Sequence, residues 1–109
     1  MEKSFTLNEL KELVMAQAAE KGFGVKPEDV NVSEKLALIH SEVSEALEAY
    51  RHKKFEGRHC FGEELADVIQ RTLHLAGVMG VDIEKEFLKK FQWNKSREWN
   101  WDEMNENHS

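Results

Sequence analysis

Apolar residues recur along this chain at the three- and four-residue spacing of helices, in four blocks separated by glycine or polar breaks. In "SFTLNELKELVMAQAAEKG", Leu7, Leu10, Leu13, Val14 and Ala18 share one side of a helix. Thr6 and Glu9 stand at capping-box spacing before it, Phe5 and Leu10 at the positions of a hydrophobic staple, and Gly22 supplies a stop. A loop, "KGFGVKPEDVN", follows and holds the one proline, Pro27. A second helix is expected from near Asn31 to about Lys54. A third is expected from about Glu63 to Val78, after the glycine-flanked "EGRHCFG". Asp82 can cap a fourth, through "IEKEFLKKFQWNKSREW". Residues 102–109 form a polar tail, no segment alternates as a strand, and no repeat is visible. The pattern predicts one all-α domain over residues 1–109, with core helices over about 6–98 arranged as a four-helix antiparallel bundle.

A wheel at about 100° per residue sorts the second helix into faces. Leu36, Ile39, Val43, Ala46, Leu47 and Tyr50 form the expected core stripe. His40, Ser41, Ser44, Glu48 and Arg51 fall on the expected wet face, and Glu42 and Glu45 lie between the two, beside Leu38 and Ala49. The third helix repeats this arrangement. Phe61, Leu65, Val68, Thr72, Leu75 and Met79 form its stripe, with Glu64 and Asp67 on one edge. Leu38, Ala66, Ile69 and Leu73 are apolar but off the stripes. They predict a second buried surface, and hence a bundle completed by a homodimer or a homotetramer.

Length and charge narrow the possibilities. A chain of 109 residues has room for one modest core. Its single cysteine, Cys60, excludes an internal disulfide framework and a multi-cysteine zinc site, and fits a reducing compartment. No apolar run is long enough to span a bilayer, and "MEKSFTLNEL" lacks the apolar core of a signal peptide, so a cytoplasmic location without membrane contact is expected. A net charge of −6 argues against a nucleic-acid polymer as partner. Against that acidity stands a local basic strip, Lys85, Lys89, Lys90, Lys95 and Arg97, able to hold a small anion.

Acidic side chains three residues apart on a helix repel by a few tenths of a kcal/mol per pair and are usually just a solvated face. Two such pairs on the core-flanking edges of successive helices mean more. Four carboxylates converging there, Glu42, Glu45, Glu64 and Asp67, cannot all stay charged unless a cation neutralises them. An all-oxygen donor set without cysteine or histidine favours Mg²⁺, with Mn²⁺ as a possible substitute. A di-iron bundle would need Glu-x-x-His on two helices; only Glu56 and His59 have that spacing, in a glycine-interrupted loop. Arg71, four residues after Asp67, is expected to pair with it, and His74 shares Asp67's edge.

E-x-x-E at Glu42 and Glu45, E-x-x-D at Glu64 and Asp67, and the later "KFQWNKSR" together resemble the MazG-like all-α nucleoside triphosphate pyrophosphohydrolases. The three motifs fall in order across residues 34–97. One departure is Ser41, where many members have a further glutamate; it bears on how many metal ions are held. The resemblance implies Mg²⁺-dependent cleavage of a (deoxy)nucleoside triphosphate to the monophosphate and pyrophosphate, in a nucleotide-pool or house-cleaning role. It further implies metal binding by Glu42, Glu45, Glu64 and Asp67, with Glu45 the choice for general base. Lys90, Lys95 and Arg97 would then hold phosphate oxygens, and Asn94 phosphate or sugar. Trp93 could stack on a base, although Phe87, Phe91 and Trp93 also have packing spacing, and cations near a helix C-terminus are favourable without any ligand. Trp99 and Trp101 are expected to pack against a partner subunit. Two rivals stay open: a non-catalytic helical protein-interaction module, and a hydrolase of another nucleotide phosphoanhydride.

Overall fold

The computed structural model describes residues 4–97; Trp99, Trp101 and the 102–109 tail lie outside them. The described chain is all-helical: α1 (Leu7–Lys21), α2 (Val32–Arg51), α3 (Phe61–Val78) and α4 (Ile83–Ser96), with a 3₁₀ turn at Pro27–Asp29. None of these helices is long and apolar enough to cross a membrane.

The helix starts follow local chemistry. Thr6 Oγ1 accepts from the Glu9 N–H at 3.1 Å while Glu9 Oε1 accepts from the Thr6 N–H at 2.8 Å, so the expected capping box is formed. Asn31 and Asp82 cap α2 and α4 by accepting from the N–H groups of Glu34 and Lys85. Helix α3 begins at Phe61, two residues earlier than expected, after Cys60, which makes no side-chain cap. The chain is instead guided in by the Phe61 N–H, which donates to the Lys54 carbonyl at 2.8 Å. Helix α2 stops at Arg51, three residues short of Lys54, because Lys53 turns left-handed at φ 55°. The N–H groups of Lys53 and Lys54 then close onto the carbonyls of Tyr50 and Ala49, a Schellman ending built without glycine.

Packing centres on α3, which lies against both α2 and α1; α4 meets the rest chiefly through α1. Contacts between α2 and α3 link Tyr50 to Phe61 at the connecting loop and Glu42 to Arg71 further along. Small residues make these interfaces. Ala18, Ala46, Ala49 and Ala76 are buried with Leu73 and Val78, and a Cβ on Gly77 would overlap the side chain of Met15 on α1. Helix axes can approach closely only where side chains are this small.

The expected core stripe of α2 therefore coincides only in part with the face that is buried. Ala46 of that stripe is buried and Ile39 half-buried, but Leu36, Val43, Leu47 and Tyr50 are each about half exposed, while Glu42 and Ala49 from its flank are buried. On α3, Leu65 and Met79 of the expected stripe are also exposed, while Leu73, placed off the stripe, is buried. Periodicity identifies residues that share a face of a helix; it does not say which neighbour that face meets.

Candidate metal centre and adjoining cleft

The turn that places Ala46 and Ala49 against α3 carries Glu42 into the same interface, because residues three and four apart share a helix face. Glu42 is only 8% exposed and Glu64, near the start of α3, only 4%. Asp67, one turn on from Glu64, is half-buried. Glu42, Glu64 and Asp67 each bring a carboxylate oxygen within 4.8 Å of the others.

The fourth expected ligand, Glu45, is exposed and lies outside this group. It stands about 60° short of a full turn from Glu42, beyond the strip of α2 that α3 covers. Ser41 is exposed as well. Glu48 is a wet residue, as expected, 3.4 Å from Arg51 and 3.2 Å from His52.

Partners satisfy only part of the group. Arg71 Nε donates to Glu42 Oε1 at 2.8 Å, across the helix interface and not to Asp67 within its own helix as the i to i+4 spacing suggested. His59 Nδ1 lies 3.6 Å from Glu64 Oε1, too far for a hydrogen bond. Glu42 Oε2 and Glu64 Oε2 are buried with no hydrogen-bond partner among the described residues. A buried carboxylate oxygen left without a partner is costly. Two of them beside a third acid, all hard oxygen donors, fit a divalent cation of the Mg²⁺ or Mn²⁺ class.

Glu42 and Asp67 line a cleft of about 380 Å³ between α1, α2 and α3. Val14, Ala18 and Phe23 give it an apolar side, Gln17, Gln70 and His74 supply neutral polar groups, and Lys35 and Arg71 stand beside Glu42 and Asp67. His74 Nε2 donates to the Gly24 carbonyl at 2.8 Å, tying α3 to the loop after α1. At Gly24 a Cβ would overlap Val30 and Asp29, so the loop that carries Phe23 is folded tightly on itself.

Helix α4 contributes nothing to this lining. Lys90 and Trp93 border a separate concavity formed by α4 alone, Lys95 and Arg97 are exposed near the helix end, and Asn94 is half-buried. Within one chain the acidic group and the basic strip thus belong to different surfaces. The cleft's own cations were missed by sequence reasoning. Lys35 was legible in principle, since it sits two turns before Glu42 on the same face, whereas the i to i+4 spacing of Arg71 pointed it at Asp67 on its own helix. No family model, curated protein or solved structure matches the chain.

Proposed function

We propose that this chain is a Mg²⁺-dependent nucleoside triphosphate pyrophosphohydrolase of the MazG-like kind, cleaving (d)NTP to (d)NMP and pyrophosphate in a cytoplasmic nucleotide-pool role. The observation that carries the reading is the buried group of Glu42, Glu64 and Asp67, with two unpartnered oxygens, beside a cleft that holds two cations. Glu42, Glu64 and Asp67 would hold the metal, and three acids without Ser41 and Glu45 suit one divalent ion. When bound, such an ion supplies Lewis-acid polarisation of a phosphoryl oxygen and makes a nearby water more acidic.

The rest falls to the chain's own side chains. Glu45, outside the acidic group and open to solvent, is the carboxylate available to take the water's proton. Phe23, Gln17 and Gln70 offer one flat apolar surface and two amides to a planar, polar base. Lys90, Asn94, Lys95 and Arg97 would reach phosphate oxygens from a second copy of the chain, with Trp93 alongside, because in their own chain they line another surface. The exposed rows on α2 and α4 favour that assembly, a homodimer or homotetramer in which helices of two chains complete an antiparallel bundle.

The same exposed rows favour one rival, a non-catalytic module that docks a different protein. Assaying pyrophosphate and monophosphate over all common ribo- and deoxyribonucleoside triphosphates with millimolar Mg²⁺ separates the two, and the products also reveal cleavage at another phosphoanhydride. Glu42→Gln and Asp67→Asn should each lower turnover at least about 10- to 100-fold, the loss that follows removal of even an indirect partner of a metal. Unchanged turnover in both variants would overturn the site, and no hydrolysis of any triphosphate would overturn the activity.

A further inference from the structure

Arg71 occupies an unusual place, since it reaches from a partly exposed position on α3 to a carboxylate buried on α2. Its side chain is 43% exposed, that of Glu42 only 11%. It touches Glu42 through Nε alone. A guanidinium has five N–H donors in one plane, so four remain on Nη1 and Nη2, without a protein partner among the described residues. The same side chain lines the cleft. Glu42, for its part, has Oε1 taken by Arg71 and Oε2 buried without a partner.

We infer that Arg71 does two things at once: through Nε it holds the Glu42 carboxylate with Oε2 left for a cation, and through Nη1 and Nη2 it binds an anionic phosphate of the substrate. This rests on the reading of Glu42, Glu64 and Asp67 as a cation site. It identifies the anion-binding residue that the chain supplies to its own cleft, with no help from α4. A planar fork suits both duties, because phosphate oxygens are matched by paired N–H groups. Lys35, the other cation lining the cleft, provides a second positive charge for the same anion. A lysine at position 71 would bring one point charge and could not hold a carboxylate and a phosphate in fixed directions together.

The order of events follows from charge. Three acids close to the bound position repel a phosphate. Anion binding at Arg71 therefore depends on a divalent cation being present, and the two should bind synergistically.

The test is equilibrium binding to the full chain, with Mn²⁺ followed by electron paramagnetic resonance and a non-hydrolysable α,β-imido nucleoside triphosphate followed by calorimetry. Wild type, Arg71→Met and Arg71→Lys are compared after circular dichroism melts have established that each is folded. At saturating Mn²⁺ the nucleotide analogue should bind Arg71→Met at least about tenfold more weakly, the loss of a charge-assisted hydrogen bond or more. Arg71→Lys should recover only part of that loss, and Mn²⁺ alone should bind Arg71→Met more weakly than wild type, since Glu42 loses its anchor, but by a clearly smaller factor than the nucleotide analogue does. Nucleotide affinity unchanged in Arg71→Met overturns the inference, as does full recovery by lysine. So does an equal loss of Mn²⁺ and nucleotide, which would confine Arg71 to supporting Glu42. Failure of wild type to bind Mn²⁺ would instead overturn the cation reading itself, and is told apart because it appears before any nucleotide is added.

Discussion

Glu64 is 4% exposed, yet one of its carboxylate oxygens has no partner among the described residues. The basic side chain in contact with it among the described residues is His59, with Nδ1 3.6 Å from Glu64 Oε1, itself held in the left-handed region at φ 62° and 71% exposed at the side chain, so it offers little compensation. A charge desolvated next to two like charges opposes folding until something neutralises it. Replacing Glu64 with glutamine keeps the shape and removes the charge. The metal-free variant should therefore melt no lower than wild type, whereas the response to Mg²⁺ should differ. At a Mg²⁺ concentration ten times its Kd, linkage gives wild type about 1.4 kcal/mol of added stability, a rise in Tm of about 6 °C for a domain of this size. Glu64→Gln should show almost none of that rise. Differential scanning calorimetry with and without Mg²⁺ measures both; a wild-type Tm indifferent to Mg²⁺ would mean that the acids are paired in some other way.

Helix boundaries show how far local chemistry can be read. Thr6, Asn31 and Asp82 are strong capping residues, and all three starts fall where their spacing put them. The start of α3 and the end of α2 were not legible, since Cys60 is no cap and Lys53 takes a left-handed turn usually given to glycine. The acidic group was legible in three of its four members because i to i+3 pairs on adjacent helices meet whenever those helices pack along each other. Glu45 was not separable from the others, since a flank read from a wheel is uncertain by about the angle that excludes it. At the start of α4, Asp82 accepts from the Asn8 side chain at 2.9 Å and from the Lys85 N–H at 3.1 Å. These bonds, the one from Asn8 foremost, then that from Lys85, with smaller help from the charges of Lys11 and Lys85 and against some desolvation, hold its carboxyl below the ordinary value of 3.8. A carboxylate depressed in the folded state stabilises it fully above the ordinary range and loses that contribution as pH falls through the folded value. Wild type should thus melt above Asp82→Asn at neutral pH, by an amount that shrinks as pH drops below about 4. A Tm difference that stays constant from pH 7 to pH 3 would show that the ionised form has no special role at this cap.

The described residues include no fully buried large side chain, whereas Leu36, Val43, Leu47 and Tyr50 on α2 and Phe87, Leu88 and Phe91 on α4 stand about half exposed. Covering the remaining exposed half of such a side chain gains about 1 kcal/mol. The four on α2, doubled across a two-fold interface, gain about 8 kcal/mol, which lies inside the range that association itself costs. The α2 row alone therefore does not hold two chains together at low concentration. A stable assembly also needs rows such as Leu65 and Met79 on α3 or those of α4, and recruiting α4 would carry Lys90, Lys95 and Arg97 toward the partner's cleft. Leu47→Glu tests this, because Leu47 lies in the middle of the α2 row and away from the acidic group, the cleft and the basic strip. Sedimentation equilibrium should find wild type as a dimer or a tetramer of the full chain, with a Tm that rises with protein concentration. The variant should be a monomer with a concentration-independent Tm and should lose pyrophosphate release while its Mn²⁺ affinity stays near that of wild type, since Glu42, Glu64 and Asp67 come from one chain. A monomeric Leu47→Glu chain that hydrolyses triphosphates at the wild-type rate would place every catalytic group in a single protomer and leave the α4 strip without a part in the reaction.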